Sequence, residues 1–122
     1  MEFKDTQAIY IQIGDYINEQ ILLERWKEGD RILSVRELGV DLQVNPNTVM
    51  RAYDFLQNNE IIFNKRGVGY FVEDQAKNKI IAYRRKQFLE LELPVIFKNM
   101  KLLGMNFDEL KSKYEEFSKN IN

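Results

Sequence analysis

The sequence predicts a mainly α fold with a small β-hairpin wing: a winged helix-turn-helix followed by a two-helix C-terminal dimerisation tail. Three observations predict it. Helix-start signals at Ser34 and at Asn45-Pro46 bracket two short helices separated by a tight break at Gln43-Val44. Two β-prone runs, Ile61-Ile62-Phe63 and Tyr70-Phe71-Val72, flank a turn that holds Gly67 and Gly69. Beyond Asp74, apolar residues step by four and three along the chain, the pattern of packed helices.

In chain order, the first helix is expected from about Ala8 to Trp26, because Ile9, Ile13, Ile17 and Ile21 recur every fourth residue and make one apolar stripe. Lys27-Glu28-Gly29-Asp30 ends it, and Ile32-Leu33 is a short extended link. Ser34 caps the second helix, with Glu37 completing a capping box, and Val35, Leu38 and Leu42 face inward. The third helix starts at Asn45-Pro46 and points Val49, Ala52, Tyr53 and Leu56 at the core; Asn58-Asn59 stop it. The hairpin closes residues 1–75. In residues 76–122 a long helix carries the seam Leu89, Leu93, Ile96, Met100 and Leu103, with Phe88, Leu91, Val95 and Leu102 as a second stripe. Pro94 should kink it. Gly104 ends it, and Asn106 with Glu109 caps a last helix bearing Phe107, Leu110, Tyr114, Phe117 and Ile121.

Composition excludes most chemistry. The hydrophobic fraction of 44% with 30% charged residues is that of a folded soluble chain. Neither cysteine nor histidine is present, which removes disulfides, thiolate nucleophiles, the commonest general base and the commonest metal ligands. No catalytic residue, metal site or cofactor is expected. The N-terminus lacks the apolar run of a signal peptide, and no stretch approaches the length of a membrane span, so a cytoplasmic protein with no membrane partner is expected.

Charge argues against nucleic acid in bulk and for it locally. Residues 1–75 hold 8 Lys+Arg against 13 Asp+Glu, and residues 76–122 hold 10 against 6. A winged helix used for protein contact would suit that acidic first part. Yet Arg31, Arg36, Arg51, Lys65 and Arg66 fall in the half that should face DNA, while Asp15, Glu19, Glu24 and Glu28 fall on or just after the first helix, at the back. The exposed start of a recognition helix would offer Asn45, Asn47, Thr48 and Arg51 to base edges and phosphates. Capping alone accounts for Asn45; it does not account for Asn47, Thr48 and Arg51. Ser34 and Arg36 sit where a helix N-terminus can take a phosphate. Lys65, Arg66 and Gly67 form the wing tip, which would straddle the backbone or enter the minor groove, or be a plain solvated turn.

Six runs carry a resemblance: Ile9-Tyr10-Ile11-Gln12-Ile13, Gly29-Asp30-Arg31-Ile32, Ser34-Val35-Arg36-Glu37-Leu38, Val44-Asn45-Pro46-Asn47-Thr48-Val49, Arg51-Ala52-Tyr53 and Arg66-Gly67-Val68-Gly69-Tyr70-Phe71-Val72. In order and spacing they resemble the GntR family of bacterial regulators, and the Asn-Pro-Asn-Thr-Val run with a short helical tail resembles its YtrA-type subfamily. The resemblance implies operator contacts from Ser34, Arg36, Asn45, Asn47, Thr48, Arg66 and Gly67, a tail that dimerises, and control of transporter operons. Three residues depart from the family pattern: Leu33 replaces a usual proline, Glu60 a usual glycine, and Met50 a frequent arginine. The expected function is a homodimeric regulator, acting as a repressor on an inverted-repeat operator. The tail is too short to wrap a ligand pocket of the usual 300 Å³ or so, which leaves a small-molecule effector undefined.

Overall fold

The isoleucine stripe folds as α1 (Ile9–Leu22) in the computed structural model, which describes residues 1–4 and 6–121. Ile13, Ile17 and Ile21 are buried, while Ile9 in the first turn stays exposed. Buried Gln12 ties the N-terminal segment down: its amide donates to the Lys4 and Gln7 carbonyls, and its Oε1 accepts from the Lys4 N–H, each at 2.8 Å. The helix stops at Leu22, four residues before the end that the apolar pattern predicts. Glu24 turns into the left-handed region at φ 60°, and the N–H groups of Arg25 and Trp26 both fold back onto the Gln20 carbonyl. Trp26 therefore leaves the helix axis and packs edge-on against Tyr16.

The capping box is as the sequence predicts. Ser34 Oγ accepts from the Glu37 N–H at 3.1 Å, Glu37 Oε1 accepts from the Ser34 N–H at 3.0 Å, and α2 (Val35–Leu42) follows. Gln43 closes α2 in the left-handed region at φ 56°. The turn is tight enough that a Cβ on Gly39 would lie 3.0 Å from the Val44 carbonyl oxygen, which explains a glycine inside a helix. α3 (Pro46–Asn58) starts with Asn45 Oδ1 accepting from the Asn47 N–H at 2.8 Å. It buries Val49, Ala52, Tyr53 and Leu56, the face predicted for it. Glu60, at φ 59°, turns the chain out of α3 in a left-handed conformation that glycine adopts at no cost.

β1 (Ile62–Lys65) and β2 (Gly69–Val72) pair antiparallel from Ile62↔Val72 to Lys65↔Gly69, so the strands reach further into the turn than the β-prone runs predict. Arg31 bridges to Phe71, and the Ile32 N–H donates to the Tyr70 carbonyl at 2.9 Å. The link after α1 thus lies along β2. Gly69, at φ +143°, is the point where Arg31 crosses the hairpin: a Cβ there would meet Arg31 Nε at 2.8 Å. α4 (Ala76–Gln87) adds Ala76 and Ile80 to the same core. Each such fully buried isoleucine contributes roughly 1.5–3 kcal/mol.

The chain divides into two compact units, Met1–Tyr83 and Arg84–Asn122. In the second, a π-helical turn (Phe88–Glu92) leads into α5 (Leu93–Leu102) and then α6 (Phe107–Asn120). The kink predicted at Pro94 takes this form for a physical reason. Proline has no N–H and its ring would strike the carbonyl four residues back, so the ladder widens and the Leu93 N–H donates to the Phe88 carbonyl, five residues back. Asn106 and Glu109 form the predicted capping box. No residue of α5 or α6 is buried. Of the residues expected at the dimer interface, Phe88, Leu89, Ile96 and Leu103 are exposed and Leu93 and Met100 half-buried. α6 does not bury its own stripe: Phe107, Tyr114, Phe117 and Ile121 remain exposed. Among the described residues no helix is long and apolar enough to cross a membrane.

Candidate nucleic-acid interface

α3 turns about 100° per residue, so packing Val49, Ala52, Tyr53 and Leu56 inward carries Asn47, Arg51 and Asp54 to the opposite side. Those three are exposed, as are Asn45 and Met50; Thr48 is half-buried at the flank. Asn45 has spent its side-chain oxygen on the cap, which leaves its NH2 group as a donor. The Arg51 guanidinium lies over the Tyr10 ring of α1, 4.3 Å from the centroid. Tyr10 in turn meets Phe55 edge-on, with ring centroids 6.3 Å apart.

At the start of α2, Arg36 is exposed and Ser34 half-buried. Hydrogen bonds from the Ser34 backbone and hydroxyl, then the charge of Arg31, hold the Glu37 carboxyl below the usual carboxylate range. An ionised Glu37 therefore stands where the sequence places a phosphate contact, and Arg31 and Arg36 supply the opposing charge. At the wing tip the Val68 N–H donates to the Lys65 carbonyl at 2.9 Å, and Gly67 takes φ +77° at the third turn position. Nothing lies within 4 Å of where a Cβ on Gly67 would point, so the backbone there is open to close approach. Lys65 and Arg66 are exposed, and Lys65 Nζ lies 5.9 Å from the centre of the Phe71 ring, which stacks on Phe63.

Aromatic contacts tie wing, recognition helix and turn together. The Tyr53 hydroxyl donates to the Leu33 carbonyl at 2.6 Å and so holds the entry to α2. Tyr53 meets Tyr70 of β2 edge-on at 4.8 Å, and the Tyr70 hydroxyl donates to Met50 Sδ at 3.7 Å. Burial pushes the Tyr53 phenol well above its ordinary pKa, and burial with the charge of Asp54 raises Tyr70 as well.

Three groups of predicted site residues thus occupy three elements of one unit: Asn45, Asn47, Thr48 and Arg51 on α3, Ser34 and Arg36 at the start of α2, and Lys65, Arg66 and Gly67 at the wing tip. Sequence reasoning missed Gly39, Tyr10 and the crossing of Arg31 over Gly69. A glycine inside an amphipathic helix was a signal for the first; the other two depend on contacts between elements far apart in the chain. Among the described residues no group of three or more acidic side chains could hold a metal ion.

Residues 9–72 match the family described as bacterial regulatory proteins, gntR family. The chain is 30% identical over 117 residues to the HTH-type transcriptional regulator YhcF of Bacillus subtilis, covering 96% of this chain and 95% of that protein. It is also 30% identical over 118 residues to the HTH-type transcriptional repressor YtrA of the same organism, covering 97% and 90%. A crystal structure from Bacteroides thetaiotaomicron, described as a transcriptional regulator of the GntR family, superposes with a TM-score of 0.79 at 45% identity over 94% of this chain and all of that one.

Proposed function

The chain belongs to the gntR family of bacterial regulatory proteins, and on that premise we propose that it is a sequence-specific DNA-binding transcriptional regulator that reads an inverted repeat as a homodimer. The observation that carries the reading is the outer face of α3. Its first turns leave Asn47 and Arg51 exposed, on a helix whose opposite side is locked into the core and whose flank is tied to a basic wing. Asn47 and Arg51 read base edges, with Asn45 and Thr48 at the margin. Arg36, with Ser34 at the start of α2, and Lys65, Arg66 and Gly67 on the wing position the phosphate backbone. The DNA-binding part is assigned to residues 1–75 and dimerisation to residues 76–122, with Ala76 and Ile80 at the start of the tail packed into the core of the first unit.

Exposed apolar surface supports the dimer. Phe88, Leu89, Ile96 and Leu103, with Leu91, Val95 and Phe97, leave a patch on the single chain that a twofold partner would bury. Repression, in the cytoplasm where the chromosome lies, is the proposed outcome, supported by the likeness to a protein named as a repressor. The test is binding of the full chain to duplex DNA at two salt concentrations. Binding through six or more phosphate contacts should weaken by about 10³-fold or more between 50 and 200 mM salt. Salt-independent binding, or none, would overturn the reading.

A further inference from the structure

Arg51 is a cation held by a ring rather than by an acid. Among the described residues none of the ion pairs includes it. Asp54, three residues on, is exposed and close enough along the helix to compete for it, yet the guanidinium lies over Tyr10 instead. Phe55, one turn after Arg51 on α3, makes a T-shaped contact with the same ring. Two α3 side chains four residues apart thus engage one α1 ring.

Resting on the reading that the outer face of α3 meets DNA, we propose that Tyr10 is a positioning residue for that readout. It presets the plane of the Arg51 guanidinium so that the fork of N–H donors faces a double acceptor: either the N7 and O6 edge of a guanine or the two oxygens of a phosphate. A ring under the guanidinium attracts it as a cation without using any of its N–H donors. A flexible arginine loses rotamer freedom on binding, and a side chain already held over a ring loses less. Lysine cannot substitute, because an ammonium has neither a plane to stack nor a fork to present. The first helix, expected at the back of the molecule from its acidic residues, thereby contributes a residue to the DNA-facing side.

The experiment compares the full chain with Tyr10→Phe, Tyr10→Leu, Arg51→Lys, Arg51→Ala and the Tyr10→Leu/Arg51→Ala double variant. Each is titrated with the preferred duplex selected from a random pool and with random duplex, at two salt concentrations, and its melting temperature is recorded. Tyr10→Phe should bind as the parent does. Tyr10→Leu and Arg51→Lys should each lose about 3- to 10-fold on the preferred duplex. The double variant should be no weaker than Arg51→Ala alone. A loss confined to the preferred duplex identifies the guanine edge; an equal loss on both duplexes with a shallower salt slope identifies the phosphate. If Tyr10→Leu melts early, Arg51→Lys carries the test, since it leaves Tyr10 in place. Full binding by Arg51→Lys, or additive losses in the double variant, would overturn the positioning role while leaving DNA readout intact. A parent protein that prefers no duplex would overturn the role together with the reading beneath it.

Discussion

Tyr53, fully buried, donates its hydroxyl to the Leu33 carbonyl between α3 and the entry to α2. Its phenol is raised above the ordinary value by burial first and by Tyr70 second, so folding favours the protonated form. A pKa raised in the folded state gives stability that is whole below the unfolded value, about 10 for tyrosine, and is lost as pH rises beyond it. Urea midpoints should therefore be level from pH 7 to 9 and fall above about pH 10. Tyr53→Phe should cost about 1–2 kcal/mol at neutral pH and leave only the smaller alkaline decline due to Tyr70; an unchanged alkaline decline would contradict the assignment. Glu60 supplies a second check. It holds φ 59°, where a Cβ costs roughly 1–2 kcal/mol, and its exposed pair with Lys79 returns little. Glu60→Gly should raise stability by up to about 1 kcal/mol, read from the shift in urea midpoint at constant m-value. Both caps at Ser34 and Asn45 were legible because a cap is local, needing only a side chain and an N–H two or three residues on. The Arg51–Tyr10 contact was not, since 41 positions separate the two and no spacing rule relates them.

At the scale of the element, the recognition helix and the wing should fail differently. Asn47 has its backbone N–H bound to the cap and its side chain exposed, so Asn47→Ala should cost about 1–3 kcal/mol on the preferred duplex and little on random DNA. Arg66, at the tip of the hairpin, should act on every sequence alike: Arg66→Ala should lower the salt slope by about one unit. Fluorescence anisotropy with both duplexes at two salt concentrations separates them, and equal losses on both duplexes for Asn47→Ala would refute base readout. The identity and order of these elements were legible from periodicity and turn residues. Their ends were less so. The apolar pattern of α1 continues to Trp26, but the backbone reverses at Glu24 so that the indole can pack on Tyr16, a tertiary gain that periodicity does not register. Pro94 announced a break in the tail, but proline's missing N–H is compatible with either a kink or a π-helical turn, so the sequence could not choose between them.

For the whole molecule, the question is what covers the tail. Ile96 and Leu103 are exposed within the chain, at 36% and 72%, so a charge there should barely disturb the fold of the monomer. Ile96→Asp and Leu103→Asp should therefore leave the melting of residues 1–83 intact while turning a sedimenting dimer into a monomer, because an interface would have to bury an unpaired carboxylate. A monomer also loses the linkage that makes two weak half-site contacts act together. The helical tail was legible in its four-and-three steps; its dimerisation is an expectation from those stripes and from the family resemblance, because a sequence pattern reports which face is apolar and not what meets it. Base readout and twofold symmetry converge on one measurement: selection of bound duplexes from a random-sequence pool by the full chain. The expected result is enrichment of an inverted repeat whose half-sites lie about one helical turn, 10–10.5 base pairs, or a multiple of that apart. A pool that stays random, or that yields a single half-site with no symmetric partner, would contradict it.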